Sequence, residues 1–99
     1  KYIASLIFRY EDLRALDGGK DGLQVIENII KLSNLSLKPN GYLFLEIDPC
    51  HAFLIPNLLE NIYGKSSSTD YKMILRNVIH DFRGKDRFAI LEKCLPSVK

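Results

Sequence analysis

Apolar residues recur at three- and four-residue spacing through Leu23, Ile26, Ile29 and Ile30, and then Ser33 or Leu37. That period predicts a helix from about Asp21 to about Leu35 with one buried face. Asp21 stands where an N-cap side chain accepts from the first free amides, and Glu27 and Lys31 fall at i and i+4 on the solvated side. A second amphipathic stretch, residues 53–63, turns Phe53, Leu58, Leu59 and Ile62 inward, with Pro56 in its first turn, where a missing N–H costs little. Between the two, Tyr42-Leu43-Phe44-Leu45-Glu46-Ile47 is apolar at nearly every position, the pattern of a strand covered on both faces, most often in a parallel sheet. Residues 71–79 and 87–94 each alternate with a period of two, and Asp81-Phe82-Arg83-Gly84-Lys85-Asp86 between them has the turn chemistry of an antiparallel hairpin.

The predicted order is therefore helix, strand, helix, strand, strand. Such a succession needs a right-handed crossover and gives a parallel pair with the last strand returning antiparallel, an α/β arrangement. No strand is predicted before Gly18, so the strand at 42–47 has hairpin partners on one side and an open edge on the other, which is an aggregation hazard. Turn residues punctuate the chain. Three glycines lie in Leu16-Asp17-Gly18-Gly19-Lys20-Asp21-Gly22-Leu23, Lys38-Pro39-Asn40-Gly41 ends the first helix, Asp48-Pro49 closes the strand, and residues 64–70 form a small-residue polar loop.

Composition narrows the class. The chain has 99 residues, 46% of them apolar, and a formal net charge of +2. That is a globular balance, enough for one modest core and too short for most complete cofactor enzymes. No apolar run approaches the ~20 residues of a membrane span, and no secretory signal is visible, so the expectation is a chain without membrane attachment. The first residue is Lys, not Met, so a processed or partial chain is the expectation. Cys50 and Cys94 lack metal-ligand spacing and read as free thiols of a reducing compartment.

The residues also carry a resemblance. LDGGKDGL at 16–23, preceded by Tyr10-Glu11-Asp12 and followed by KPNGYLFLEID at 38–48 and DFRGKDRF at 81–88, resembles the C-terminal half of the HemK/PrmC family over about residues 5–94. The resemblance implies an S-adenosylmethionine-dependent methyltransferase whose acceptor is a glutamine side-chain amide of a peptide chain release factor. It implies the Rossmann-like, seven-stranded class I methyltransferase sheet, of which residues 1–99 form a single partial domain at the antiparallel end. The sequence LEIDPCH is similar to the mitochondrial branch, which implies a mitochondrial location; a bacterial-type member is cytoplasmic.

In that family a Gly-rich loop after the first strand holds the cofactor's methionine part, an acidic residue ending the second holds the ribose, and Asn-Pro-Pro-Tyr after the fourth binds the glutamine amide. None of these is found in the chain, which is therefore expected to lack cofactor-binding, metal and catalytic residues and to be inactive alone. The expected partners are a release factor and the missing N-terminal half of the domain. Tyr2 resembles the end of the Asn-Pro-Pro-Tyr motif, with Lys1 in place of Pro, but its spacing to Tyr10 is about eight residues short. Asp17, Gly18, Gly19, Asp21 and Gly22 are candidates for the substrate side of the site, because loops after parallel strands carry ligands; the competing reading is a turn with a helix cap.

Glu46 and Asp48, at the end of the central strand, are candidates to face the same region, with a partnered or edge carboxylate as the favoured reading of Glu46. His51 and His80 have no nucleophile or carboxylate at triad spacing. Arg83, Lys85 and Arg87 read as a solvated turn, too small for a nucleic-acid footprint, so direct nucleic-acid binding is not expected. Two rival functions stay open: a truncated, non-catalytic binding module, and a Rossmann-like methyltransferase with another acceptor.

Overall fold

The structure, a computed structural model, describes residues 3–8, 22–47, 53–64, 70–84 and 86–95. Six elements follow one another: β1 (Ile3–Phe8), α1 (Gly22–Ser36), β2 (Leu37–Glu46), α2 (Ile55–Tyr63), β3 (Lys72–His80) and β4 (Asp86–Cys94). The strands form one sheet in the order β1-β2-β4-β3. β1 is parallel to β2, while β4 is antiparallel to both of its neighbours. The helix-strand-helix-strand-strand succession and its reversed last strand are as predicted, in a mixed α/β sheet.

The strand at 3–8 corrects the expectation that nothing in this chain pairs with the far side of the central strand. Its residues gave no two-residue alternation, because Ala4, Ser5 and Ile7 are exposed and Leu6 is half-buried. β1 is specified by its partner: Ser5, Leu6, Ile7 and Phe8 stand opposite Tyr42, Leu43, Phe44 and Leu45. Among the described residues the unpaired edge on this side thus belongs to β1, one strand further out.

The core lies between one face of the sheet and the two helices. Ile26 and Ile30 of α1, Ile55 of α2, and Leu43, Leu45 and Leu91 of the sheet are all fully buried in one cluster. Each such side chain contributes roughly 1.5–3 kcal/mol relative to exposure. The predicted inward positions Ser33 and Leu37 are both buried, as are Ile26 and Ile29, and the Glu27–Lys31 pair closes at 3.0 Å. In α2, Pro56 sits in the first turn as expected, but Phe53 precedes the helix and is 72% exposed. Ile55 takes the inward place instead, because the helix begins two residues later than the apolar spacing suggested.

β2 differs from its sequence pattern in two ways. Leu43, Leu45 and Ile47 face the helices at 0% exposure, while Tyr42 on the other face is 39% exposed and Phe44 and Glu46 are half-buried. Among the described residues the helices therefore cover one face only, although the strand is apolar enough for two. In addition, Lys38-Pro39-Asn40-Gly41, expected as a turn, lies inside the strand as a bulge: Ile3 pairs with Leu37, but Ser5 pairs with Tyr42. Asn40 takes φ 69°, a conformation Asn tolerates. At Gly41 the β1 backbone comes so close that an added Cβ would lie 2.8 Å from the Ala4 carbonyl oxygen and 2.9 Å from that of Lys38. Both obstacles are backbone, so Gly41→Ala should destabilise the fold by about 1–3 kcal/mol, the usual cost of overpacking, measured as a lowered urea midpoint with an unchanged slope.

Candidate functional site

β1, β2 and β3 run in the same direction, since β4 is antiparallel to both β2 and β3 and β1 is parallel to β2. Phe8, Glu46 and His80 therefore end along one edge of the sheet, beside Asp86 at the start of β4. In parallel sheets ligands bind outside this carboxyl edge. The candidates Asp17, Gly18, Gly19 and Asp21, together with Asp48, Cys50 and His51, lie outside the described residues, and Gly22 is the first residue of α1. Tyr2 also lies outside them. Ile3, which follows it, begins β1 at the opposite edge.

Five side chains are described at the carboxyl edge: Glu46, His80, Asp81, Phe82 and Arg83. Glu46 is half-buried opposite Phe88 and is not without a partner, in line with its structural reading. His80 is exposed and likewise engaged. Beyond β3 the chain turns sharply: the Gly84 amide donates to the Asp81 carbonyl at 2.9 Å, and the Arg83 amide donates to Asp81 Oδ1 at 2.8 Å. Gly84 at φ 81° completes the turn at little steric cost. This turn holds Phe82 94% exposed, with the Arg83 guanidinium 5.5 Å from its ring centroid. Sequence reasoning named the turn and Arg83 but passed over Phe82; the signal available was an aromatic between Asp81 and Arg83-Gly84.

The amino edge is built differently. Lys93, at a position read as part of an ordinary alternation, is only 7% exposed; its Nζ donates to the Leu37 carbonyl at 2.9 Å and lies 5.3 Å from the Tyr71 ring centroid. Asn34 Nδ2 donates to the Tyr71 carbonyl at 3.0 Å. These contacts tie together the end of α1, the start of β2, the approach to β3 and the end of β4. At the same edge α2 and β3 flank an open groove of about 450 Å³, lined by Pro56, Leu59, Tyr63, Lys72 and Met73 among others. The groove lies away from the carboxyl edge, and its lining is mostly apolar packing.

Among the described residues no three His, Cys, Asp or Glu side chains gather where a metal could be held, and no helix is long and apolar enough to cross a membrane. Cys94 is a buried free thiol.

Comparison with known proteins identifies the sheet. A human protein named MTRF1L release factor glutamine methyltransferase is 37% identical over 94 residues, 95% of this chain and 26% of the relative. A release factor glutamine methyltransferase of Thermodesulfovibrio yellowstonii is 34% identical over 88% of this chain and 28% of its own length. The chain belongs to the HemK/PrmC family. Its four strands form the C-terminal part of the family's class I methyltransferase fold, as the motifs implied. The relative of the same name from Synechocystis is 43% identical over 54% of the chain. The chain spans about a quarter of the length of the human and Thermodesulfovibrio HemK/PrmC relatives. No family model and no solved structure matches it.

One group in the groove has a testable titration. Burial holds the Tyr63 phenol above its ordinary value of 10.0. The Met73 amide opposes this weakly, and the hydroxyl oxygen makes no hydrogen bond of good geometry, so desolvation decides the direction. A phenol raised in the folded state contributes stability that is present below pH ~10 and lost as pH rises through the folded value. In an alkaline absorbance titration, one of the five tyrosines should ionise later than the rest, and Tyr63→Phe should remove that late component.

Proposed function

We propose that this chain is the C-terminal part of an S-adenosylmethionine-dependent methyltransferase that places a methyl on the side-chain amide nitrogen of a release-factor glutamine in mitochondria. The observation that carries the reading is the match to the human release factor glutamine methyltransferase along 95% of the chain. The sheet order β1-β2-β4-β3 supports it, because the reversed last strand is the antiparallel end of the class I methyltransferase sheet. In this reading the residues that follow β1 and β2 in the sequence serve the acceptor side of the domain. Asp17, Gly18, Gly19, Asp21 and Gly22 then shape the substrate side of the site.

An amide nitrogen is a poor nucleophile, so transfer depends on holding it in line with the methyl and bonding both its hydrogens. The residues after β1 are Arg9-Tyr10-Glu11-Asp12, not Asn-Pro-Pro-Tyr, and the cofactor loop belongs to earlier strands of the family sheet. The residues present do not fit S-adenosylmethionine by themselves, so no step of the transfer is assigned to them and the chain alone is inactive. Its partner within the domain is the N-terminal half, which supplies the cofactor site. The sheet face that the described helices leave open, where Ile7 is 69% and Ile79 42% exposed, is the surface that half packs against. The same open face favours one other reading, a non-catalytic binding module that uses it to hold a different protein.

The test joins this chain to the upstream part of the human relative. The fusion should transfer one methyl to the glutamine of a recombinant mitochondrial release factor, read by mass spectrometry of the glutamine peptide. A fusion that binds S-adenosylmethionine yet methylates nothing rejects the acceptor. The 99-residue chain alone should give no saturable heat with S-adenosylmethionine; micromolar binding would overturn the claim that the cofactor site lies elsewhere.

A further inference from the structure

We propose that the turn between β3 and β4 is a docking tip for the acceptor protein, with Phe82 as its apolar anchor and Arg83 as the charge that meets an acidic patch beside the target glutamine; this rests on the release-factor reading above. Phe82 has no role in the core, since it is 94% exposed. A large aromatic left in water gains nothing from burial, whereas aromatic and arginine side chains dominate the energetics of protein interfaces.

The tip is also held in advance of any partner. The Gly84 amide to Asp81 carbonyl bond at 2.9 Å and the Arg83 amide to Asp81 Oδ1 bond at 2.8 Å fix the backbone on both sides of Phe82. The guanidinium at 5.5 Å from the ring centroid pairs the two side chains into one amphipathic unit. Preorganisation of this kind lowers the ordering cost of binding. Position supplies the third argument. The turn stands on the carboxyl edge, where β1 and β2 also end, so a protein presenting a side chain to that edge must pass it.

Charge decides between classes of partner. Residues 81–87 hold Arg83, Lys85 and Arg87 against Asp81 and Asp86, a surplus of one positive charge. A single aromatic with so small a surplus is a poor nucleic-acid footprint, which needs several phosphate contacts, and fits a protein surface with one acidic patch.

The experiment measures binding of the 99-residue chain to an immobilised mitochondrial class 1 release factor, with Phe82→Ser and Arg83→Glu as variants. Each variant should weaken binding about tenfold or more, an anchor-sized loss. Only the Arg83→Glu effect should shrink as salt is raised. Because both side chains are exposed, the melting temperature should stay within a degree or two of the parent's, a surface-substitution effect. If the parent binds and both variants bind equally well, the docking tip is refuted while the release-factor reading stands. Absence of binding by a folded parent, or loss in the variants of ribosomal RNA binding alone, also overturns the tip. The family reading is judged separately, by methyl transfer in the fusion.

Discussion

A strand buried in a sheet must pair its N–H and C=O groups on both sides, because an unpaired polar group away from water costs as much as a lost hydrogen bond. β2 carries that requirement here. It receives β1 along one side and β4 along the other, and Leu43 and Leu45, with Ile47 just beyond its end, lie in the core cluster that both helices join. The parallel side is the demanding one. β1 can reach Leu37 and Tyr42 only by leaving residues 38–41 as a bulge, and the bulge closes only because Gly41 has no side chain between two carbonyl oxygens.

The two edges of the sheet follow from that arrangement and differ in kind. At the amino edge the buried Lys93 reaches the Leu37 carbonyl and the Tyr71 ring, while Asn34 reaches the Tyr71 carbonyl in an exposed bond, so four elements are fastened to one another through polar contacts. A buried ammonium bonded to a backbone carbonyl is tolerated because its donors find partners. At the carboxyl edge the turn between β3 and β4 is held by bonds within itself, and Phe82 and Arg83 are exposed. Function concentrates on loops held by a rigid scaffold, and here the rigid end is the one that fastens chain to chain.

Much of this was legible in the sequence, and what was not has definite causes. The period of Ile26, Ile29 and Ile30 placed α1, and Pro56 placed the first turn of α2, because both signals are local. β1 escaped because its strand state comes from pairing with β2, not from alternation among its own residues. Phe53 was assigned inward because it is large and apolar, yet the turn before α2 leaves it exposed. Lys93 looked like one member of an alternating strand; its burial depends on a carbonyl 56 residues earlier in the chain. Of the candidate site, the hairpin turn and Arg83 were readable from turn chemistry. The direction in which Phe82 points is set by the Asp81 bonds and was not.

The apolar richness of β2 bears on what the whole domain must look like. Its helix-facing side is fully buried, but Tyr42 and Phe44 continue onto the second face, where the register sets Ile7 beside Phe44 and Ile90 across from it. Apolar area removed from water is worth roughly 25 cal/mol per Å², so a second layer over these residues would stabilise the sheet as the helices do on the first. The middle row of the face is apolar at Ile7, Phe44 and Ile90 and ends at Asn77 on the edge strand β3, while Glu46 and Glu92 lie toward the ends of the face, with Arg76 bonded to Glu92 at 2.9 Å. A sheet face with an apolar middle and a charged rim has the composition of a surface made to be covered, and the strand pattern that first suggested coverage on two sides is accounted for once that second layer is supplied by the rest of the methyltransferase domain.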